Sequence, residues 1–254
     1  MLQVENISVV FGGLRAVDGL TFDLKPNDLL ALIGPNGAGK TTVFNAIMGI
    51  YPPDEGRIVC DGRDLKGLAT HDVARLGISR TFQNIRLFKQ MTVLDNVKCA
   101  LTKNYPYTIF EAFLRLPRCR RIEREIDDKA MDILKYFDLT DAAQWKASNL
   151  PYGRQKHVEI ARAYATSPKY LLLDEPAAGL NDRETHELLG KVYRLLSDKV
   201  GILLIEHNMT FVMNIAQRII VLDYGKPIAE GTPAEIKSNP RVIEAYLGKE
   251  EEVA

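Results

Sequence analysis

Residues 34–41 read Gly34-Pro35-Asn36-Gly37-Ala38-Gly39-Lys40-Thr41, a run that fits G-x-x-x-x-G-K-[ST]. Glycines at this spacing let the backbone curl until several N–H groups point at one anion. A helix opening near Lys40 adds the positive end of its dipole. In such a loop the lysine reaches the β- and γ-phosphates of a nucleoside triphosphate, and the hydroxyl at Thr41 ligates magnesium. Thr42 follows at the head of the same helix.

A second acidic element matches the first. Tyr170-Leu171-Leu172-Leu173 is an apolar run that ends in Asp174-Glu175. A buried strand delivers such a pair at its C-terminal end, where open α/β sheets place ligands. Asp174 there holds magnesium through water, and Glu175 polarises an attacking water, as a general base or by orienting it. By itself an Asp-Glu pair after a strand equally suits the acidic start of a helix; the phosphate loop tips the reading. His207 follows the apolar run Gly201 to Ile205, and Gln83 closes Arg80-Thr81-Phe82-Gln83. Their residue types permit contact with the γ-phosphate, magnesium or water. On the residues alone both roles stay open.

The elements that position these groups are readable in outline. Leu2, Val4, Ile7 and Val9, then Val17, Leu20, Phe22 and Leu24, near-alternate on either side of Gly12-Gly13, which predicts antiparallel strands. Leu29 to Ile33 is a continuous apolar run, the pattern of a strand buried on both faces. Thr42 to Ile50 predicts a helix stopped by Tyr51-Pro52-Pro53, and Asp61-Gly62 predicts a turn after Ile58-Val59-Cys60. From about 88 to 155 helical patterns dominate; Ile122, Ile126, Ala130, Ile133, Leu134 and Phe137 recur at three- and four-residue steps. Arg115, Arg118, Arg120, Arg121 and Arg124 form a basic cluster there, suited to a solvated face or to lipid head groups. Tyr170 to Leu173 and Gly201 to Ile205 are buried strands in prospect, and Arg218 to Leu222 with Pro227 to Ala229 predict a terminal hairpin. The fold expected is α/β: a parallel-sheet core interrupted by a helical subdomain.

Bulk properties narrow the function classes. The chain has 254 residues, 26% of them charged, with a net charge of zero. No basic field argues for nucleic acid. Cys60, Cys99 and Cys119 are too scattered for a disulfide framework or a zinc site and suit reduced thiols of a cytosolic protein. The first residues, Met1-Leu2-Gln3-Val4-Glu5-Asn6, lack the basic and apolar regions of a signal peptide. No apolar run approaches the roughly 20 residues a bilayer span needs. A role in transport therefore requires other subunits to form the pathway.

Taken in order, Phe11, the phosphate loop, Gln83, a helical stretch, Leu150-Pro151-Tyr152-Gly153-Arg154-Gln155, Asp174-Glu175, Ala178-Gly179-Leu180-Asn181 and His207 resemble the ABC ATPase family over nearly the whole chain. The resemblance implies a single ABC ATPase domain over residues 1–254 with a P-loop NTPase, RecA-like core. Residues 1–87 and 156–254 would form that core with an N-terminal antiparallel β subdomain; 88–155 would form the helical subdomain with the signature. It implies ATP and Mg2+ as cofactors. Gly34, Pro35, Asn36, Gly37, Ala38, Gly39, Lys40, Thr41 and Thr42 would hold phosphate, with Thr41, Gln83 and Asp174 toward the metal. Phe11 would stack on adenine, Gln83 would sense magnesium and touch the membrane partner, and Glu175, His207 and Gln83 would serve hydrolysis. Pro151, Tyr152, Gly153, Arg154 and Asn181 would meet the nucleotide across a dimer.

Two departures refine the resemblance. The usual signature is Leu-Ser-Gly-Gly-Gln; here Pro151, Tyr152 and Arg154 replace three of its residues, and Asn181 stands where aspartate is usual. Both are similar to the ATPases of branched-chain amino-acid importers, as are Arg80-Thr81-Phe82-Gln83, Glu230-Gly231-Thr232-Pro233 and Ala245-Tyr246-Leu247-Gly248. Urea or amide importers and lipopolysaccharide exporters look alike. The implied partners are transmembrane permease subunits, a second ABC ATPase subunit (the same chain or a relative) and, indirectly, a periplasmic or extracellular substrate-binding protein. The implied place is the cytoplasmic face of the membrane. Against this stand a GTP-binding switch, which would need an Asn-Lys-x-Asp reader that is missing, a soluble ABC ATPase of DNA repair or translation, and a non-catalytic regulatory subunit.

Overall fold

The computed structural model describes residues 1–105 and 117–247. Two sheets organise it. The first is antiparallel, with strands β1 (Leu2–Phe11), β2 (Leu14–Leu24), β4 (Glu55–Cys60) and β5 (Arg63–Asp64) in the order β2-β1-β4-β5. The second contains β3 (Leu29–Ile33), β6 (Ile78–Arg80), β7 (Tyr170–Asp174), β8 (Gly201–Ile205), β9 (Arg218–Asp223) and β10 (Lys226–Gly231), in the order β10-β9-β3-β8-β7-β6. All its pairings are parallel except the β9–β10 hairpin.

The continuous apolar runs have a simple cause. Successive strand residues point to opposite faces, and this sheet is covered on both. Leu29, Ala31 and Ile33 of β3 enter one core cluster, while Leu30 and Leu32 enter the other. Strand β8 divides the same way, Ile202 and Leu204 against Leu203 and Ile205. Polar alternation would therefore bury a polar side chain on one face, at a cost of about 1–3 kcal/mol each if unpaired.

Nine helices surround the sheets among the described residues. They are α1 (Lys40–Ile47), α2 (Thr70–Arg75), α3 (Val93–Leu101), α4 (Pro117–Tyr136), α5 (Tyr152–Ala165), α6 (Asp182–Ser197), α7 (Met209–Ile215), α8 (Pro233–Lys237) and α9 (Pro240–Leu247). Helix α1 begins two residues before the expected Thr42 and ends at Ile47, not Ile50. The stop is Gly49, whose φ of 70° leaves the helical region, and a Cβ there would stand 2.6 Å from the Leu68 carbonyl oxygen. The predicted turn at Asp61-Gly62 forms, with φ of 48° and 82°, between β4 and β5.

In the middle of the chain α3 packs on α4 and α5. Helix α4 buries Ile126, Ala130 and Leu134 at four-residue steps, as the periodicity predicts. Arg118, Arg120, Arg121 and Arg124 lie exposed on it. Arg115 and Gly248 lie outside the described residues. Helix α5 runs from the signature through residue 165, so the 155/156 subdomain boundary expected from sequence falls inside one continuous helix. The helix that starts at the signature thus also packs on β6.

Candidate functional site

The loop between β3 and α1 sits at the C-terminal edge of the parallel sheet. Its backbone is one only glycine tolerates at two points. Gly34 has φ 149° and an added Cβ would stand 2.0 Å from the Leu222 carbonyl oxygen. Gly39, the N-cap of α1, has φ 96°, with Ala16 O 2.1 Å from where a Cβ would be. Lys40 is buried, and its Nζ donates to Gly34 O at 2.7 Å and Pro35 O at 2.8 Å. The ammonium thus lies inside the curl of its own loop. Asn36, Gly37 and Thr41 are exposed at the rim.

Leu14, Arg15, Ala16, residues 36–42, Gln83, Glu175, His207, Tyr224 and Gly225 line one open cleft around this loop. Arg15, Ala16 and the 224–225 turn were not read from the sequence as site residues. They arrive from the β1–β2 hairpin and the β9–β10 turn; Asp18 N of β2 donates to Gly225 O, and Gly225 N donates to Ala38 O of the phosphate loop. Such long-range docking leaves no local pattern. Phe11 ends β1, 43% exposed, edge-on to Tyr51 with ring centroids 5.3 Å apart; it is not among the lining residues of this cleft.

Glu175 is the centre of the arrangement. Gln83 Nε2 donates to its Oε2 at 2.9 Å, and His207 Nε2 lies 3.2 Å from its Oε1. Three residues from three separate segments meet at one carboxylate. The Glu175 backbone has φ 48°, a region costly for a residue with a Cβ, by roughly 1–2 kcal/mol. Its N–H donates to Ile205 O at 2.9 Å, which fixes the turn to β8.

Asp174 is buried and pairs with the enclosed side chain of Arg80, whose Nη2 stands 2.6 Å from Oδ2. Arg80 Nη1 also donates to Asn45 Oδ1 of α1 at 2.7 Å, and Asp174 N donates to Thr81 Oγ1 at 3.2 Å. Arg80 therefore links the phosphate-loop helix to the acidic strand. Its role is visible only once β6 is known to lie beside β7. Glu206 is a second positioning group that the sequence hid. Its Oε1 accepts from Ala177 N at 2.6 Å and its Oε2 from His207 N at 3.0 Å and Asn208 N at 3.2 Å. Burial pushes its carboxyl above the usual range.

The signature residues lie apart from this cleft, at the start of α5. Pro151 is the N-cap, with no side-chain cap bond, and its carbonyl accepts from Gln155 N at 3.0 Å. The Tyr152 ring packs over Gly179, where an added Cβ would meet Cε1 at 3.1 Å. Gly153 faces Glu184. Arg154 forks onto Asp141, at 2.8 and 2.5 Å, within the helical region. Asn181 Oδ1 accepts from Glu184 N, and Glu184 Oε2 accepts from Asn181 N, a capping box that starts α6. In one subunit, then, residues 151–154 and 181 are not brought to the phosphate loop.

Among the described residues no group of three or more His, Cys, Asp or Glu is arranged to hold a metal alone. The oxygen donors at Thr41, Gln83 and Asp174 suit a hard cation that keeps water and phosphate ligands, as magnesium does. No helix among the described residues is long and apolar enough to cross a membrane.

The pattern of the ABC transporter family matches residues 17–178, and that of the branched-chain amino acid ATP-binding cassette transporter matches residues 226–252. The chain is 45% identical, over 98% of each chain, to the high-affinity branched-chain amino acid transport ATP-binding protein BraF of Pseudomonas aeruginosa. It is 46% identical, over 98% of each, to the corresponding protein LivG of Escherichia coli. A crystal structure of the ADP conformation of an ATP-binding cassette of an ABC transporter superposes with a TM-score of 0.85 at 33% identity, covering 98% of both chains.

Proposed function

This chain belongs to the ABC transporter ATP-binding family, and from that premise we propose that it hydrolyses ATP to drive import of branched-chain amino acids through partner permease subunits. The observation that carries the chemical part is the convergence of Gln83 and His207 on the two oxygens of Glu175 at the mouth of the phosphate loop. Lys40 and the loop amides bind phosphate. Glu175 holds and polarises the attacking water, while Gln83 and His207 keep it aimed. Thr41, Gln83 and Asp174 would hold magnesium, which would supply charge neutralisation at the phosphates. Phe11 offers a ring face to adenine. Pro151 to Arg154 and Asn181 serve the nucleotide of a second ATPase subunit, which explains their distance from this subunit's own loop.

The substrate class is supported by the 45–46% identity to the two named transport proteins along the full alignment and by the match at residues 226–252. A periplasmic or extracellular binding protein completes such a system, and the chain sits at the cytoplasmic face, held by its permeases.

The permease contact is assigned to the depression lined by Met48, Phe82, Phe88, Cys99, Ala100 and Arg162. Of the apolar residues after Gln83, Leu87 is buried and Met91 and Leu94 are half-buried, but Phe88 is 53% exposed. An exposed aromatic in an apolar depression fits insertion of a short partner helix. Deleting the gene should cut high-affinity leucine uptake by about tenfold or more, since each ATP site is completed across two ATPase subunits and the importer then lacks one of them. Wild type should restore uptake; Phe88→Asp should not, while its ATP binding stays within about threefold of wild type, because the loop is untouched. Undiminished leucine, isoleucine and valine uptake in the deletion strain would overturn the substrate assignment in favour of amide import or lipopolysaccharide export.

A further inference from the structure

Helix α5 carries two oppositely charged side chains, Lys156 and Glu159, each only 2% exposed. Charged groups are rarely buried this deeply without a specific partner. Their partners are not mainly each other. Lys156 Nζ donates to Gln83 O at 3.1 Å and to Glu175 O at 3.1 Å. Glu159 Oε1 accepts from Phe82 N at 3.4 Å and Arg86 N at 3.2 Å. One helix thus grips the backbone of the Gln83 loop at three points and the backbone of Glu175 at a fourth. The side chains of Gln83 and Glu175 bond each other across the same gap. Burial opposes charge on both gripping groups, holding the Lys156 ammonium below and the Glu159 carboxyl above their ordinary pKa ranges.

The other end of this lever is the signature. Pro151 caps α5, Tyr152 and Gly153 form its first turn, and Lys156 lies one turn further on. The first turn leans on Gly179 and Glu184, while the second reaches the site of hydrolysis. A helix is stiff over two turns, so a shift at Gly153 moves Lys156 and Glu159 with it. The loop bearing Gln83 must follow, because its amides and carbonyl are bonded to those side chains.

We propose that Lys156 and Glu159 are positioning residues for ATP hydrolysis, which tie the first turn of α5 to the Gln83–Glu175 pair so that movement of the signature is passed to the pair. This rests on the reading of the site as an ATPase. Neither side chain touches the reacting atoms; both act through Gln83 and Glu175.

The test uses the full-length chain in the assembled transporter and measures kcat, KM for ATP, equilibrium ATP binding and thermal midpoint together. Lys156→Met removes the two donated bonds while keeping an unbranched stem. Glu159→Leu removes the acceptor. Each should lower kcat by about tenfold or more while ATP binding and KM stay within about threefold, the signature of a group acting in the transition state rather than in ground-state binding. Glu159→Gln keeps an acceptor oxygen and should retain kcat within about threefold. Lys156→Arg keeps donors and should retain more activity than Lys156→Met. Unchanged kcat in Lys156→Met and Glu159→Leu would overturn the proposal. So would a drop in kcat for Glu159→Gln equal to that for Glu159→Leu, or a loss of ATP binding that matches the loss of kcat, since either would mark a role in fold alone. If Lys156→Met or Glu159→Leu fails to fold, Lys156→Leu and Glu159→Met take their places and are read by the same criteria. A wild-type chain that binds no ATP would instead refute the ATPase reading beneath the proposal.

Discussion

Glu175→Gln should bind ATP as tightly as the wild type and hydrolyse it at least about 100-fold more slowly, the usual scale for losing a general base. The shape of the side chain is kept, so Gln83 and His207 still have a partner of the same size at 2.9 and 3.2 Å. The backbone strain at φ 48° is unchanged, because glutamine and glutamate have the same branching. What is lost is the negative charge that polarises water. With hydrolysis blocked, ATP should accumulate between two subunits, and size-exclusion chromatography with ATP should show a dimer that the wild type forms only transiently. Phosphate release within about threefold of wild type would show that Glu175 is not the group acting on water.

Gly153→Asp should abolish turnover through a different route. A Cβ at Gly153 would stand 2.4 Å from Glu184 Oε1. The new side chain therefore brings a second carboxylate against Glu184, and two such charges about 4 Å apart repel by roughly 4 kcal/mol at protein-like screening. Glu184 also closes the capping box with Asn181, worth about 1 kcal/mol, so the start of α6 loosens as well. ATP binding by the single subunit should survive, since the phosphate loop lies elsewhere. The double variant Gly153→Asp, Glu184→Gln separates the two effects. It removes the internal repulsion and should recover stability, yet turnover should stay lost if Gly153 faces the phosphates bound to the partner subunit. Recovered turnover in the double variant would place the whole effect inside one subunit. Pro151→Ala should keep activity within about threefold, because Pro151 contributes its carbonyl and its backbone angle to the helix start, and alanine can supply both.

How legible these features were depended on how local they are. The phosphate loop could be read because strand, loop and helix follow each other within residues 29–47, and each is bound to its neighbour by chain connectivity. The buried strands were legible because both faces of the sheet are covered, which forbids polar alternation. Gln83 and His207 stayed open on residues alone. They lie 92 and 32 positions from Glu175, and only the β6-β7-β8 adjacency brings them together. Arg80, Glu206, Lys156 and Glu159 were hidden for a related reason. A charged residue on a strand end or an amphipathic helix is ordinarily solvated, and nothing local says that a neighbouring segment will bury it. Asn181 illustrates the converse. Its position in the family order suggested a nucleotide contact, while its neighbour three residues on, Glu184, spells a capping box, and in one subunit the box forms.

Titration calorimetry of ATP with magnesium into wild type and Lys40→Ala tests most directly whether Lys40 is the phosphate-binding cation of an ATP site. Lys40 Nζ donates to the Gly34 and Pro35 carbonyls of its own loop, and circular dichroism and the thermal midpoint are read beside binding to show that the variant stays folded. The predicted result is saturable binding to the wild type, with affinity reduced by about 100-fold or more in Lys40→Ala, the loss of one strong charge-assisted contact to phosphate. Equal affinity in the two proteins would contradict the account.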